Sequence, residues 1–193
     1  AFRDRSYWML HVGFFTCGFH IAFLVTHLPT EIAMCGLSDQ VSATALALIG
    51  LFNVGGSLAI GALGQRYRMK WLLALMYPSR ALLIALYLVL PPTPLVFYAF
   101  AAGLGMTWLA TVPPTAGIIG KLFGARYLAT LFGFTLLSHQ IGGFLGAWLG
   151  GLALERFGDY SWMWYADIAL ALVAAAANLP IREQSPKLAP AAA

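Results

Sequence analysis

The chemistry-bearing side chains of this sequence are few, and most stand inside long apolar stretches: His11, His20 and His27, Cys17, Asn53, Arg80, Trp108 and Thr111, His139 and Gln140, and Asp167. Intervals of nine and seven separate His11, His20 and His27, which lack the one-turn spacing of a helical metal-ligand pair. No Gly-x-Ser-x-Gly elbow is present to carry a nucleophile. Cys17 and Cys35 form neither a Cys-x-x-Cys pair nor a disulfide framework, so they read as small packing residues. The expectation is therefore no catalytic residue, no metal and no cofactor. What remains is the chemistry of an ionisable group in an apolar setting, which points to ligand or proton handling. An unperturbed histidine titrates near neutrality and can pass a proton, and a guanidinium grips a carboxylate with two donors.

The elements that must position these groups follow from composition. Of 193 residues, 61% are hydrophobic and 9% charged, well beyond the roughly 45–50% apolar content of a soluble domain. A crossing helix takes about 20 apolar residues, and six runs qualify: Tyr7 to Leu28, Val41 to Leu63, Trp71 to Leu90, Leu95 to Ile119, Tyr127 to Leu152 and Trp162 to Leu179. Pro29 to Gln40, Gln65 to Lys70, Pro91 to Pro94, Gly120 to Arg126 and Glu155 to Ser161 punctuate them. The runs are too long and continuous for alternating barrel strands, so helices are expected, with lipid around them. A soluble enzyme or nucleic-acid-binding fold is excluded on the same ground.

Charge then orients the bundle. Six crossings put both termini on one side, where Arg3, Arg5, Arg66, Arg68, Lys70, Lys121, Arg126, Arg182 and Lys187 also fall; the other side carries Arg156 with Glu31, Asp39, Glu155 and Asp159. By the positive-inside rule both termini face the cytoplasm, and a cell (inner) membrane is the expected location. The net charge of +4 thus reports orientation and not a nucleic-acid partner. The chain opens Ala-Phe-Arg-Asp-Arg without Met, and no short apolar stretch ends in a cleavage site; a processed chain or a piece of a longer one is expected.

An offset of 90 positions aligns Gly61-x-x-x-Gln65-Arg66-Tyr67 with Gly151-x-x-x-Glu155-Arg156-Phe157, Gly13 with Gly103, and Gly56 with Gly146. Three crossings, an odd number, separate the copies, so the repeat is inverted in topology, an arrangement common among secondary transporters. The division is 1–6 as a cytoplasmic lead-in, 7–90 and 91–179 as three-helix repeats, and 180–193 as a cytoplasmic tail.

The stretch from Gly61 through Gln65, Arg66 and Arg68 to Lys70 resembles the basic cytoplasmic loop motif of the major facilitator superfamily, with Gln65 where that motif has an acidic residue and Arg68 where it has Gly. Thr111-Val-Pro-Pro-Thr115, Gly120-Lys-Leu-Phe-Gly124 and Ser138-His-Gln-Ile-Gly-Gly-Phe-Leu-Gly-Ala147 are similar to the C-terminal half of the bacterial monocarboxylate and oxalate/formate branch. The resemblance covers essentially the whole chain. It implies an all-α polytopic protein, half of a twelve-helix fold, whose absent N-terminal half is its partner. The first, second, fourth and fifth crossings would line a cavity and the third and sixth would support it. Related carboxylate carriers place a cation on the second crossing of this half; Val41 to Leu63 holds none.

Depth selects the candidates. At 1.5 Å per residue, His139 and Gln140 lie about 18 Å from Tyr127, near the centre of a roughly 30 Å core. His20, Asn53, Trp108 and Thr111 join them as candidate substrate contacts. Pro113 and Pro114 should kink or unwind the fourth crossing. Glycines 142, 146 and 150 should form a close helix seam. Arg80 and Asp167 reach similar depth from opposite faces and are expected to pair or share a polar network; the rival is that Arg80 binds an anionic substrate. His139, Arg80 and Asp167 are the candidate coupling groups. The expected function is transport of a small solute by alternating access, with a carboxylate as the class the resemblance implies and protons as a coupling ion. The basic loop would act as a cytoplasmic latch. A half-size protein that dimerises or scaffolds is the alternative, and an intramembrane enzyme a further one.

Overall fold

The computed structural model describes residues 1–183; Lys187 and the rest of the tail lie outside the described residues. The chain is all-α: α1 (Arg5–Met34), α2 (Asp39–Leu63), α3 (Met69–Val89), α4 (Pro94–Thr107), a 3-10 turn (Leu109–Thr111), α5 (Val112–Phe123), α6 (Ala125–Phe157) and α7 (Ser161–Asn178). α4, the 3-10 turn and α5 together make one broken crossing. Five crossings, α1, α2, α3, the broken Pro94–Phe123 and α6, are long and apolar enough to span a bilayer. α7 is 18 residues long and carries Asp167 and Asn178 in its length, both buried against neighbouring helices.

Helix ends obey local chemistry. Asp4 caps α1 by accepting from the Ser6 amide at 2.8 Å, and Thr93 caps α4 ahead of Pro94. Gly158 stops α6 at φ +75° and Gly124 makes the α5–α6 turn at φ +83°, backbone that a side chain would strain. Two boundaries differ from the apolar pattern. α1 runs through Pro29 to Met34, because Leu28 and Ile32 are buried in the core and outweigh one lost amide. α6 runs through Glu155 and Arg156 to Phe157, because charges at a membrane surface do not end a helix and the left-handed glycine does. The fourth crossing does not merely bend at its prolines: the helix breaks at Trp108, a turn earlier. Pro113 and Pro114 have no amides to give to the carbonyls of residues 109 and 110, so the bonds lost lie on the N-terminal side.

α1 packs most extensively on α6, α2 on α4, and α3 on α7. The α1–α6 seam is made of glycine. A Cβ on Gly142, Gly146 or Gly18 would run into the backbone of Phe15, Phe19 or His139 respectively, and Gly150 accommodates the His27 ring. Gly56 and Gly105 do the same for α2 and α4, against the Met106 and Ile49 backbones.

Among the described residues the core has two apolar clusters. One holds Phe23, Tyr87, Phe97, Phe100 and Trp164, the other Tyr7, Leu73, Tyr77, Ile118 and Ile181. Between them along α1, α3 and α7 come His20, Arg80 and Asp167, a buried polar layer at mid-bundle. One end of the bundle gathers both chain ends: Arg182 donates its amide to Ser6 Oγ at 3.1 Å and pairs with Asp4 at 3.2 Å.

Candidate substrate cavity

The break in the fourth crossing leaves backbone groups that lipid cannot satisfy, and two side chains from other helices satisfy them. Asn53 of α2 accepts the Leu109 amide on Oδ1 at 2.8 Å. Arg80 of α3 donates Nη2 to the Thr107 carbonyl and, at 3.1 Å, to the Trp108 carbonyl, and Nε to Thr107 Oγ1 at 3.3 Å. Thr111 turns its hydroxyl back to the Trp108 carbonyl at 3.1 Å. The break is therefore held from both sides.

Beside it opens a cavity of about 290 Å³. α1 contributes Phe14, Cys17 and Ile21; the break contributes Trp108, Leu109, Thr111 and Val112; α6 contributes Leu136, His139 and Gln140. Its walls are mostly apolar, with a few polar groups converging, the usual make-up of a small-molecule site. His139 and Gln140 are bonded to each other, Nδ1 to Oε1 at 3.2 Å, and the His139 ring leans on Phe14. The backbone of His139 meets Gly18, so the glycine seam sets how close that imidazole stands to α1. Cys17 Sγ lies 3.5 Å from Thr111 Oγ1.

Four of the six expected substrate contacts, His139, Gln140, Trp108 and Thr111, thus meet in one cavity, and two do not. His20 is 3% exposed and turned to Asp167, whose carboxylate Oδ2 is hydrogen-bonded to its Nδ1. Asn53 is occupied with the Leu109 amide. Arg80 and Asp167 share the buried layer, each within the other's electrostatic reach, but the expected direct pairing is replaced: Asp167 takes His20, and Arg80 takes the carbonyls freed by the break. The reason is geometric, since the broken turn brings unbonded carbonyls to the guanidinium. His27 donates Nε2–H to the Ala147 carbonyl at 2.8 Å and accepts from Tyr160 at 3.2 Å.

The basic loop stands at the end of the bundle that holds the chain termini. Lys70 Nζ donates to the carbonyls of Leu179 and Ile181 at 3.1 and 3.0 Å. Glu183 accepts the Met69 and Lys70 amides at 3.0 and 2.8 Å, so its carboxylate caps α3, and it pairs with Lys121 at 2.7 Å. Gln65 and Arg66 are exposed, and no atom closely approaches the face of Gly61. Sequence reasoning passed over two of these participants. Cys17 offered no spacing signal, although it lies one turn before His20 on a deep apolar run. Glu183 stood beyond the last apolar stretch, and its pairing with a helix start 113 residues away in sequence had no local sign.

The family model described as Major Facilitator Superfamily matches residues 1–147. The chain belongs to the Major Facilitator Superfamily. This is a family of transporters and not of enzymes, and the chain is accordingly a multi-pass membrane protein. It is also similar to the uncharacterized MFS-type transporter YcxA of Bacillus subtilis (strain 168), with 26% identity over 166 residues that cover 82% of this chain and 40% of that protein. The superfamily chain described here therefore spans well under half the length of that curated relative.

Proposed function

We propose that this chain is the C-terminal six-helix half of a twelve-helix secondary transporter, which moves a small solute by alternating access around the cavity between α1, the broken crossing and α6. The observation that carries the reading is the convergence of His139, Gln140, Thr111 and Trp108 on one cavity, at a discontinuous helix near mid-bundle. No covalent chemistry is needed. The N-terminal half would supply the facing wall; α2 and α6, the least buried crossings, leave the most surface for it and for lipid. Both termini would face the cytoplasm of an inner membrane, since eight of the nine cations placed on that side fall among the described residues at the end where Arg182 meets Asp4.

Packing supports the division into inverted repeats at 7–90 and 91–179. Shifting by 90 exchanges the α1–α6 pairing with that of α2 and α4, and turns the contact of Phe15 with Gly142 into that of Gly105 with Phe52. The lead-in 1–6 and the tail from 180 would be cytoplasmic. The basic loop would act there as a latch, with Lys70 on the carbonyls of Leu179 and Ile181 just past α7 and the rest of the motif, Gly61, Gln65, Arg66 and Arg68, shaping the turn.

The finer assignment is a monocarboxylate or a related small organic acid, with protons as coupling ion and His139, Arg80 and Asp167 as the coupling groups. It draws on the branch resemblance and on a histidine in the cavity wall. The test is uptake by the complete protein in proteoliposomes, across carboxylates and neutral solutes, with and without a pH gradient. Carboxylate uptake that rises with an inward proton gradient is expected. Uptake confined to neutral solutes, indifferent to the gradient, would remove both assignments while leaving transport standing.

A further inference from the structure

An unbroken fourth crossing would give the Thr107 carbonyl the Thr111 amide, the Trp108 carbonyl the Val112 amide and the Gly105 carbonyl the Leu109 amide. Instead the Thr111 amide goes to Trp108 at 3.5 Å, the Val112 amide to Leu109, and Gly105 takes the Trp108 amide at 3.3 Å. The groups deprived of their helical partners are the Thr107 and Trp108 carbonyls and the Leu109 amide, and a backbone group left bare in an apolar bundle is costly. Arg80 covers both carbonyls through Nη2, with Nε on Thr107 Oγ1 at 3.3 Å, and Asn53 covers the amide at 2.8 Å. A guanidinium holds its donors in a rigid planar fork, which suits two successive carbonyls and a hydroxyl as a single ammonium does not. Neither Arg80, 1% exposed, nor Asn53 lines the cavity, whereas the turn they hold supplies Trp108, Leu109, Thr111 and Val112 to it.

We propose that Arg80 and Asn53 are a pair of positioning residues for the transport site. Acting from α3 and α2 through the backbone of the broken turn, they fix where Trp108 and Thr111 stand relative to His139 and Gln140 on the α6 wall. Arg80 thus serves the ligand at one remove and is not its anion receptor. A guanidinium keeps its proton in a protein, so Arg80 contributes placement and a fixed charge to coupling, with no proton transfer. Asn53 can be replaced by another acceptor that reaches Leu109, whereas Arg80 cannot be replaced by another cation. What the cavity holds rests on the transport reading; the grip on the turn is tested without transport, so the failure of one is told apart from the failure of the other.

The full-length protein, labelled with 5-fluorotryptophan and held in detergent, is followed by fluorine NMR, where the Trp108 line is the one lost in Trp108→Phe. Arg80→Lys keeps the charge and loses the fork; it should shift or split the Trp108 line further than the lines of Trp148 on α6 and Trp162 on α7. Asn53→Leu should do the same, and Asn53→Asp, which keeps an acceptor, should leave the line in place. A Trp108 line unmoved in Arg80→Lys means that charge alone suffices and overturns the proposal. Equal movement of all three tryptophan lines, the mark of a general structural role, overturns it too, as does an Asn53→Leu line that stays in place or an Asn53→Asp line that moves as far. Should Arg80→Lys fail to fold, Thr107→Val and Thr107→Ser read the same grip from its other end. Valine, without the hydroxyl that takes Nε, should move the Trp108 line and serine should keep it; equal positions in the two overturn the proposal.

Discussion

His20 and His139 stand at comparable depth in two helices that pack on each other, yet they occupy opposite kinds of surroundings. His20 faces the back of the bundle, where α7 offers Asp167 and solvent is excluded. His139 faces the front, half-buried, with an amide beside it and a cavity ahead. At the back, His20, Arg80 and Asp167 each find a partner on another helix; at the front, His139 and Gln140 are bonded to each other beside the cavity. Depth in a membrane thus marks a polar residue as costly, and its complement decides whether the cost maintains the fold or waits for a ligand.

The largest effect should come from the back. Asp167→Ala leaves His20 and Arg80 buried without their carboxylate and should cost about 3–5 kcal/mol, the usual penalty for breaking a buried pair. Thermal unfolding of the full-length protein in detergent measures it, and a loss below about 1 kcal/mol would erase the contrast with the front.

Next comes the seam that brings the two surfaces together. Gly146→Ala drives a methyl into the Phe19 backbone and should cost about 1–3 kcal/mol as overpacking. Gly151→Ala, with nothing within 4 Å, should be neutral or stabilise by up to about 1 kcal/mol through helix propensity. Opposite signs at neighbouring glycines would sharpen the claim that close backbone approach is set at 146; equal effects would break it.

A smaller loss is expected where fold and cavity meet. Asn53→Ala strips the acceptor from the Leu109 amide and should cost about 1 kcal/mol, with faster hydrogen exchange at Leu109. Unchanged exchange there would detach Asn53 from the break.

The crossings were legible from apolar length, because lipid demands it, and so was the crowding at Gly142, Gly146 and Gly150, because the spacing of four puts them on one face. The helix ends at Met34 and Phe157 were not, since Pro29 and Glu155 look like punctuation until burial of Ile32 and the backbone of Gly158 decide otherwise. Within the candidate site, His139, Gln140, Trp108 and Thr111 were chosen by depth and do meet. The partners of Arg80 and Asp167 were not legible, because Arg80 depends on the break in the fourth crossing and Asp167 on the face that α1 turns to α7. Cys17 and Glu183 were missed for a related reason: their roles lie wholly in what other segments bring to them.

The central claim is that the front works on a ligand while the back holds the bundle. The most direct measurement is to make His139→Ala and His20→Ala in the complete protein and to follow melting and solute uptake in parallel. The account predicts that His139→Ala melts within about 0.5 kcal/mol of the parent and loses uptake, whereas His20→Ala loses stability first. Undiminished uptake in His139→Ala, or equal destabilisation by both substitutions, would contradict it.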